Sequence, residues 1–390
     1  MSALSNILVL DHTTALAGPY CTQMLGDLGA EVIKIERAGV GDASRAWGPP
    51  FVNGESAYFL GVNRNKRSLS LNLANPAERE IFHKLVARAD VLVQNVPRQD
   101  SRVKLGLDYE TCQTINPRLV WASITGYGNS SGPYSEKPGY DVAIQGMAGT
   151  MALTGAPDSE PMRFPTPIAD ITTGLYTALA IVSALFTREH TGKGQMIDNA
   201  LLDCQVTWLA NMASSYLIAG TPFRKLGNTH PSIVPYQPFP TADRPIIIAG
   251  GTEEHWQKLT QVLGLPELAN DPRFAHNPDR LQNKAELIPL LTARLQEKSA
   301  LEWVEALEIA GIPNGLVNTP EDILADLHLE AREMIVEMEH PTVGKIRTLG
   351  NPMKLSDTPV SYRRPAPTLG QHTQEILQEL ENGQLGTNDA

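Results

Sequence analysis

Residues 7–35 read ILVLDHTTALAGPYCTQMLGDLGAEVIKI, and this pattern decides the fold class. Ile7 to Leu10 make an apolar run of strand length, about Gly18 to Leu28 suits a helix, and Val32 to Ile35 make a second strand. Two strands with a helix between them form the unit of parallel sheets, because parallel neighbours need a crossover connection. Val91 to Val93 and Leu119 to Ile124 continue the series, and Met196-Ile197 follows Gly192 and Gly194 as a further strand. Asn75-Pro76-Ala77-Glu78 opens a helix with a capping side chain, a proline at the first helical position and a carboxylate near the positive end. The reading is an α/β protein.

With 390 residues the chain exceeds the size at which single cores stop growing, so two domains are expected. A stretch rich in Pro, Gly, Asn and Thr from about Thr221 to Pro240 marks the boundary. Beyond it one strand, Ile246 to Ile248, precedes several helices, one opened by the capping box Ser299-Ala300-Leu301-Glu302 and closed near Gly311 and Pro313. Short extended pieces and a helix from roughly Thr373 to Glu381 finish the chain.

Composition narrows the function classes. The net charge of −11 disfavours nucleic acid as a partner, which requires a basic field. Three scattered cysteines speak against a disulfide framework and for a reducing cytoplasm. Asp11 interrupts the only apolar run near the start, so neither a signal peptide nor a membrane anchor is expected. Nine dispersed histidines without ligand spacing and the lack of a glycine-flanked serine elbow set zinc and serine hydrolase chemistry aside; no metal is expected.

Glu36 stands where a dinucleotide site would place its ribose acid, yet Asp11-His12-Thr13-Thr14-Ala15-Leu16-Ala17-Gly18 lacks the closely spaced glycines that a pyrophosphate needs. Arg37, Lys66, Arg67, Arg98, Arg102 and Lys104 follow strands, either as solvated surface or converging on a polyphosphate. Asp170 opens a helix that runs from about Ile171 to Arg188. It is either an N-cap, or an ionised nucleophile whose neighbouring N–H groups stabilise the oxyanion formed on attack at a thioester.

A family likeness now runs over nearly the whole chain. It is carried by Ala17-Gly18-Pro19, the stretch from Leu28 to Arg37, Asn63-Arg64-Asn65-Lys66-Arg67-Ser68, Ile124-Thr125-Gly126-Tyr127-Gly128 and Gly139-Tyr140-Asp141. Asp170 with Thr172-Thr173-Gly174 close behind, Thr191-Gly192-Lys193-Gly194-Gln195, Asp271-Pro272-Arg273-Phe274 and Leu369-Gly370-Gln371-His372-Thr373 add to it. The sequence resembles the class III coenzyme A transferases, of CaiB/BaiF type, which include formyl-CoA:oxalate and carnitine CoA transferases.

The resemblance implies a Rossmann-like large domain built from both chain ends, a smaller central domain and an interlocked homodimer. In this chain that means residues 1–205 in the large domain, 206–225 as linker, 226–325 as the small domain, and 326–390 returning to the large one. It implies Asp170 as nucleophile, no permanently bound cofactor, and a coenzyme A thioester as substrate. Arg37, Leu71, Asn72, Asn95, Val96, Lys137 and Tyr140 fall at coenzyme A contacts. Val96-Pro97-Arg98-Gln99 departs from the family's aromatic and Arg-Pro-Gly, which leaves Arg102 or Lys104 as the basic contact. No glycine run lies between His230 and Pro240, unlike the oxalate enzymes.

Gly227-Asn228-Thr229-His230, the run Ser232 to Gln237 and Met338 to Ile346 resemble the branch that uses succinyl-CoA and glutarate. A dicarboxylate calls for a cation or donor at its far end, for which Arg45, Arg64 and His230 are candidates by type. An α-methylacyl-CoA racemase resembles Gly-His-Asp where this chain has Gly139-Tyr140-Asp141, so its histidine base is missing. A non-catalytic acyl-CoA binding protein would not need Asp170.

Overall fold

The computed structural model describes residues 2–129 and 132–386. Six parallel strands form its main sheet: β1 (Leu8–His12), β2 (Glu31–Arg37), β3 (Lys66–Leu71), β4 (Val91–Gln94), β5 (Val120–Thr125) and β6 (Met196–Ala200). Five of the six grow from the runs read in the sequence; β3 escapes that reading because charged and hydroxyl residues alternate with leucines along it. The helices that matter most for the site are α1 (Ala17–Asp27), α2 (Pro76–Val86), α3 (Asp141–Met147) and α4 (Ile168–Thr191). The strands lie in the order β3-β2-β1-β4-β5-β6, the doubly wound arrangement. Val9 is in register with Val32 on one side and Val91 on the other, which makes β1 a central strand; Leu8, Val9 and Leu10 are buried and apolar, while Asp11 after them is buried against Lys66.

Two apolar layers follow from that register. Leu8, Leu10, Ile33, Phe82 and Trp121 pack on one face of the sheet. Val9, Cys21, Leu25, Val32, Ile181 and Leu185 pack on the other. Asn75 caps α2 through the Ala77 N–H, as its sequence predicts. Helix α4 comes close to α1 at Gly174, where a Cβ would stand 2.7 Å from the Ala17 carbonyl oxygen; only glycine permits that approach.

Contacts divide the chain into two units. The first comprises Met1–Met151, Arg163–Thr221 and His328–Ala390, and contains the six-stranded sheet, the hairpin Ile335–His340 with Gly344–Leu349, and the terminal helix Thr373–Glu381. The second comprises Ala152–Met162 and Pro222–Leu327. The sequence reading left residues 152–162 with the amino-terminal part, but Lys225 Nζ donates to the carbonyls of Ser159 and Glu160 at 2.6 and 3.0 Å, which joins them to the second unit.

In the second unit Ile246–Ala249 is the centre of a three-stranded antiparallel sheet between Tyr236–Phe239 and Asn314–Leu316. The two outer strands escape the sequence reading because Pro238 interrupts one and Gly315 sits in the other; both residues are tolerated at a sheet edge. The capping box at Ser299 and Glu302 is present, and Trp256, Trp303, Phe239 and Phe274 fill this unit's core.

Candidate active site

Between β1 and β4 the crossovers leave in opposite directions, which opens a crevice at the carboxyl ends of the strands. There the loop after β1 contributes Thr14, Ala15 and Leu16, the segment after β4 contributes Asn95 and Pro97, and β5 ends in Thr125 and Gly126. Together with Trp47, Gly139, Tyr140 and Asp170 they line a cleft of about 220 Å³. Gly126 and Gly139 meet backbone to backbone, so that a Cβ on Gly139 would lie 2.5 Å from the Gly126 Cα. That contact holds the Tyr140 segment against the end of β5.

Asp170 lies in the first turn of α4 rather than at its cap, since the helix begins at Ile168 after Pro167. The capping acceptor comes from α3 instead. Asp141 Oδ1 accepts the N–H of Ala169 at 2.8 Å and that of Asp170 at 3.4 Å, while its Oδ2 accepts from Gln145 at 2.6 Å. The Asp170 side chain is thus released from capping and lines the cleft. Burial first, and then the neighbouring charge of Asp141, push its carboxyl up to about 7. The sequence reading kept this carboxylate ionised by the helix end alone; a second acid at the same helix end opposes that.

Tyr58 shares this electrostatic field. Burial, then the charges of Asp170, Asp141 and Asp42, push its phenol up to about 12, so it carries its proton at neutral pH. Its ring meets Trp47 edge-on with centroids 5.1 Å apart. Asp141, Tyr58 and Trp47 are absent from the sequence-based set. Asp141 stands inside the quoted Gly139-Tyr140-Asp141 motif, but nothing local marks it as a cap for a helix 28 positions on.

Of the residues proposed from sequence, Asn95, Tyr140 and Asp170 come together in the cleft. Arg37, Leu71 and Asn72 lie at the adjoining ends of β2 and β3, with Arg37 in register with Leu71. The Asn72 Oδ1 is used by the Ala74 N–H, while Arg37, Lys104 and Lys137 are exposed. Lys137 Nζ lies 4.8 Å from the centre of the Tyr134 ring. Val96 donates its N–H to Gln94 Oε1 and packs on the core. Arg102 is buried, and its guanidinium holds the carbonyls of Val96 and Pro97 and the amide oxygen of Gln99.

The three candidates for a distal carboxylate are engaged elsewhere. Arg45 forms a fork on Glu36 and lies over the Phe59 ring. Arg64 forms another on Asp27. His230 belongs to the second unit, where its Nδ1 accepts the Ser232 N–H and its ring tilts against Tyr236. A larger cavity of about 670 Å³ shares Leu16 with the cleft and includes Ile171, Arg64, Lys345 and Arg347 in its lining. Among the described residues that line it there is no carboxylate, thiol or imidazole, whereas the smaller cleft holds Asp170.

A family model described as CoA-transferase family III matches residues 4–373. The chain is 43% identical over 381 residues to a Mus musculus protein named succinyl-CoA:glutarate CoA-transferase, with 97% of this chain and 87% of that one covered. An Agrobacterium fabrum protein named succinate–glutarate CoA-transferase is 41% identical over 384 residues, covering 97% and 96%. A crystal structure of a CAIB/BAIF family protein from Brucella suis aligns with a TM-score of 0.86 at 43% sequence identity, covering 97% of this chain and 99% of that one.

Proposed function

The chain belongs to CoA-transferase family III, and from that membership we propose that it moves coenzyme A from succinyl-CoA to glutarate, with Asp170 as the covalent nucleophile. The observation that carries this reading is a single carboxyl in the first turn of α4, set in a cleft at the carboxyl ends of the strands. Coenzyme A enters as a thioester substrate, and the reaction calls for no resident cofactor.

Asp170 attacks the donor thioester carbonyl; the C–S bond breaks, leaving a mixed anhydride and the coenzyme A thiolate. The thiolate attacks the aspartyl carbonyl, expelling the donor acid and leaving an aspartyl-CoA thioester. The acceptor carboxylate attacks that thioester, giving a second anhydride and the thiolate once more. Attack of the thiolate on the acceptor's acyl carbon releases the new acyl-CoA and returns Asp170. The thiolate must stay beside the carboxyl throughout, which favours a clamped cleft. The protonated Tyr58 phenol is suited to steady negative charge near Asp170.

Arg37, Lys104 and Lys137 are exposed cations suited to the coenzyme A phosphates. The reading also has the enzyme act as a homodimer in the cytoplasm. Support for the dimer is the outward stripe of α4, where Leu175, Leu179, Val182 and Phe186 are 46%, 64%, 38% and 69% exposed. Three buried free cysteines suit a reducing compartment.

The test is isotopic. Turnover with glutarate carrying ¹⁸O in its carboxyl groups is expected to leave label in the Asp170 side chain, read by peptide mass mapping, because the anhydride oxygen stays with the enzyme. Succinyl-to-glutarate transfer without label at Asp170 rejects the covalent role; no transfer to glutarate or other dicarboxylates rejects the substrate class.

A further inference from the structure

The loop that walls the Asp170 cleft is held by charges buried behind it. Ala15 sits at φ +72, a region that residues with a Cβ rarely occupy. Its N–H donates to Asp42 Oδ1 at 3.1 Å. Thr14 donates its N–H to the Asn95 Oδ1 at 3.2 Å and accepts from the Asn95 Nδ2 at 2.9 Å. The Thr13 N–H goes to Asp11 Oδ1 at 3.0 Å, and its carbonyl accepts from Lys34 Nζ at 2.9 Å.

Lys34 is fully buried on β2 and pairs with Asp42 Oδ2 at 2.8 Å. The Asp42 N–H is fixed in turn by Glu36 Oε2 at 2.9 Å, and Glu36 is held by Arg45 and Ser68. Lys66, also fully buried, pairs with Asp11 at 2.9 Å. Burying such ions carries a desolvation cost that apolar side chains of similar volume avoid. What the network delivers is geometry: the N–H groups of Thr13, Thr14 and Ala15 and the carbonyls of Thr13 and Thr14 all have partners from the protein itself.

We propose that the buried Asp42–Lys34 pair is a positioning device for the coenzyme A thioester, holding the loop of residues 13–16 in the shape that walls the cleft over Asp170. The inference rests on reading that cleft as the thioester site. Neither Asp42 nor Lys34 lines it; both act through the Ala15 N–H and the Thr13 carbonyl. A loop that is already set need not be ordered by the ligand, so losing the clamp should weaken binding more than chemistry.

Steady-state kinetics on three variants test this. Asp42→Ala is expected to raise KM for the acyl-CoA about ten-fold while kcat stays within about three-fold. Adding Ala15→Gly to that variant should recover about five-fold of the loss, because glycine takes the left-handed region without a Cβ clash. Asp42→Asn keeps an oxygen for the Ala15 N–H and should lose less than Asp42→Ala. An unchanged KM in Asp42→Ala, a loss confined to kcat, or a loss that Ala15→Gly does not relieve overturns the proposal.

Hydrogen exchange on the wild-type enzyme needs no variant to fold. The amides of residues 13–15 are expected to exchange slowly before any ligand is added; fast exchange that slows only with coenzyme A overturns the proposal as well. Calorimetric titration with coenzyme A separates the two levels. A wild type that binds none removes the reading of the cleft, whereas equal affinity in wild type and Asp42→Ala removes the positioning role alone.

Discussion

Asp141 caps the helix that carries Asp170, accepting the Asp170 N–H and that of Ala169 on one carboxylate oxygen. Donors that would steady a charge on Asp170 are turned toward a second acid, whose own charge repels it. Burial and that repulsion hold Asp170 at about 7. A protonated carboxyl does not attack a thioester, so kcat/KM should climb about ten-fold per pH unit below pH 6 and level off above pH 8. Asp141→Asn keeps an oxygen for the cap and removes the charge. The inflection should move to lower pH by about one unit, burial still holding it above the ordinary carboxylate value. An inflection that stays in place would show that Asp141 is not a cause.

Asp170→Asn is expected to stabilise the protein at pH 8 and to leave it unchanged near pH 3. The folded-state pKa, about 7, lies above the ordinary 3.8. Between those values the unfolded chain releases the proton while the folded chain retains it, so wild-type stability falls as pH rises through that window and stays lowered above it. The gap corresponds to about 4 kcal/mol at most, and roughly half that with solvent reaching the cleft. Thermal melts of both proteins at pH 3, 5 and 8 measure it; a difference in stability that does not grow with pH contradicts the argument.

The strands were legible because a strand buried on both faces must be apolar along its length, as Val9, Leu10, Val32 and Ile33 are. Lys34 and Lys66 break that rule, and pattern alone gives no sign that Asp11 and Asp42 await their amines. Arg45 and Arg64 suggested themselves as substrate ligands because a sequence shows a cation's type and not its partner. Asp27 lies 37 positions from Arg64, and the Pro367 carbonyl lies 322 from Arg45. Asp170 stands out at the start of a helix that the sequence reading begins at about Ile171, and the sequence leaves open whether it is a cap; the helix starts at Ile168 and Asp141 does the capping. Trp47 follows the short turn Ala43–Ala46 and Tyr58 lies in the short helix Ala57–Gly61, elements that periodicity does not connect to α4.

Arg64→Lys should cost stability without changing which acid is accepted. Arg64 holds both oxygens of Asp27 at 2.9 and 2.6 Å and the Leu349 carbonyl at 2.7 Å, with its side chain only 3% exposed. A lysine cannot make that fork; Asn65 and Asn351 still donate to Asp27, so the lost charge-assisted bonds should cost about 1.5–3 kcal/mol. Denaturant unfolding reads the loss. At temperatures where the variant is folded, KM for glutarate should stay within about two-fold of wild type. A rise in KM for dicarboxylates that spares monocarboxylates would return Arg64 to the substrate.

Helix α4 buries Thr172, Thr173, Thr177, Ile181 and Leu185 against its own unit and still leaves Leu175, Leu179, Val182 and Phe186 outward, more exposed apolar surface than a helix that covers only its own core would carry. Such a stripe, worth about 1.5–3 kcal/mol for each side chain taken out of water, calls for a protein surface over it. Leu179→Glu with Phe186→Glu should therefore shift the sedimentation coefficient from that of a dimer to that of a monomer at micromolar concentration. Because Asp170 is in the first turn of the same helix, transfer activity should fall in parallel with the dimer fraction and recover as protein concentration is raised. A wild type that sediments as a monomer, or a double variant that stays dimeric, would mean that this stripe does not join two copies of the chain.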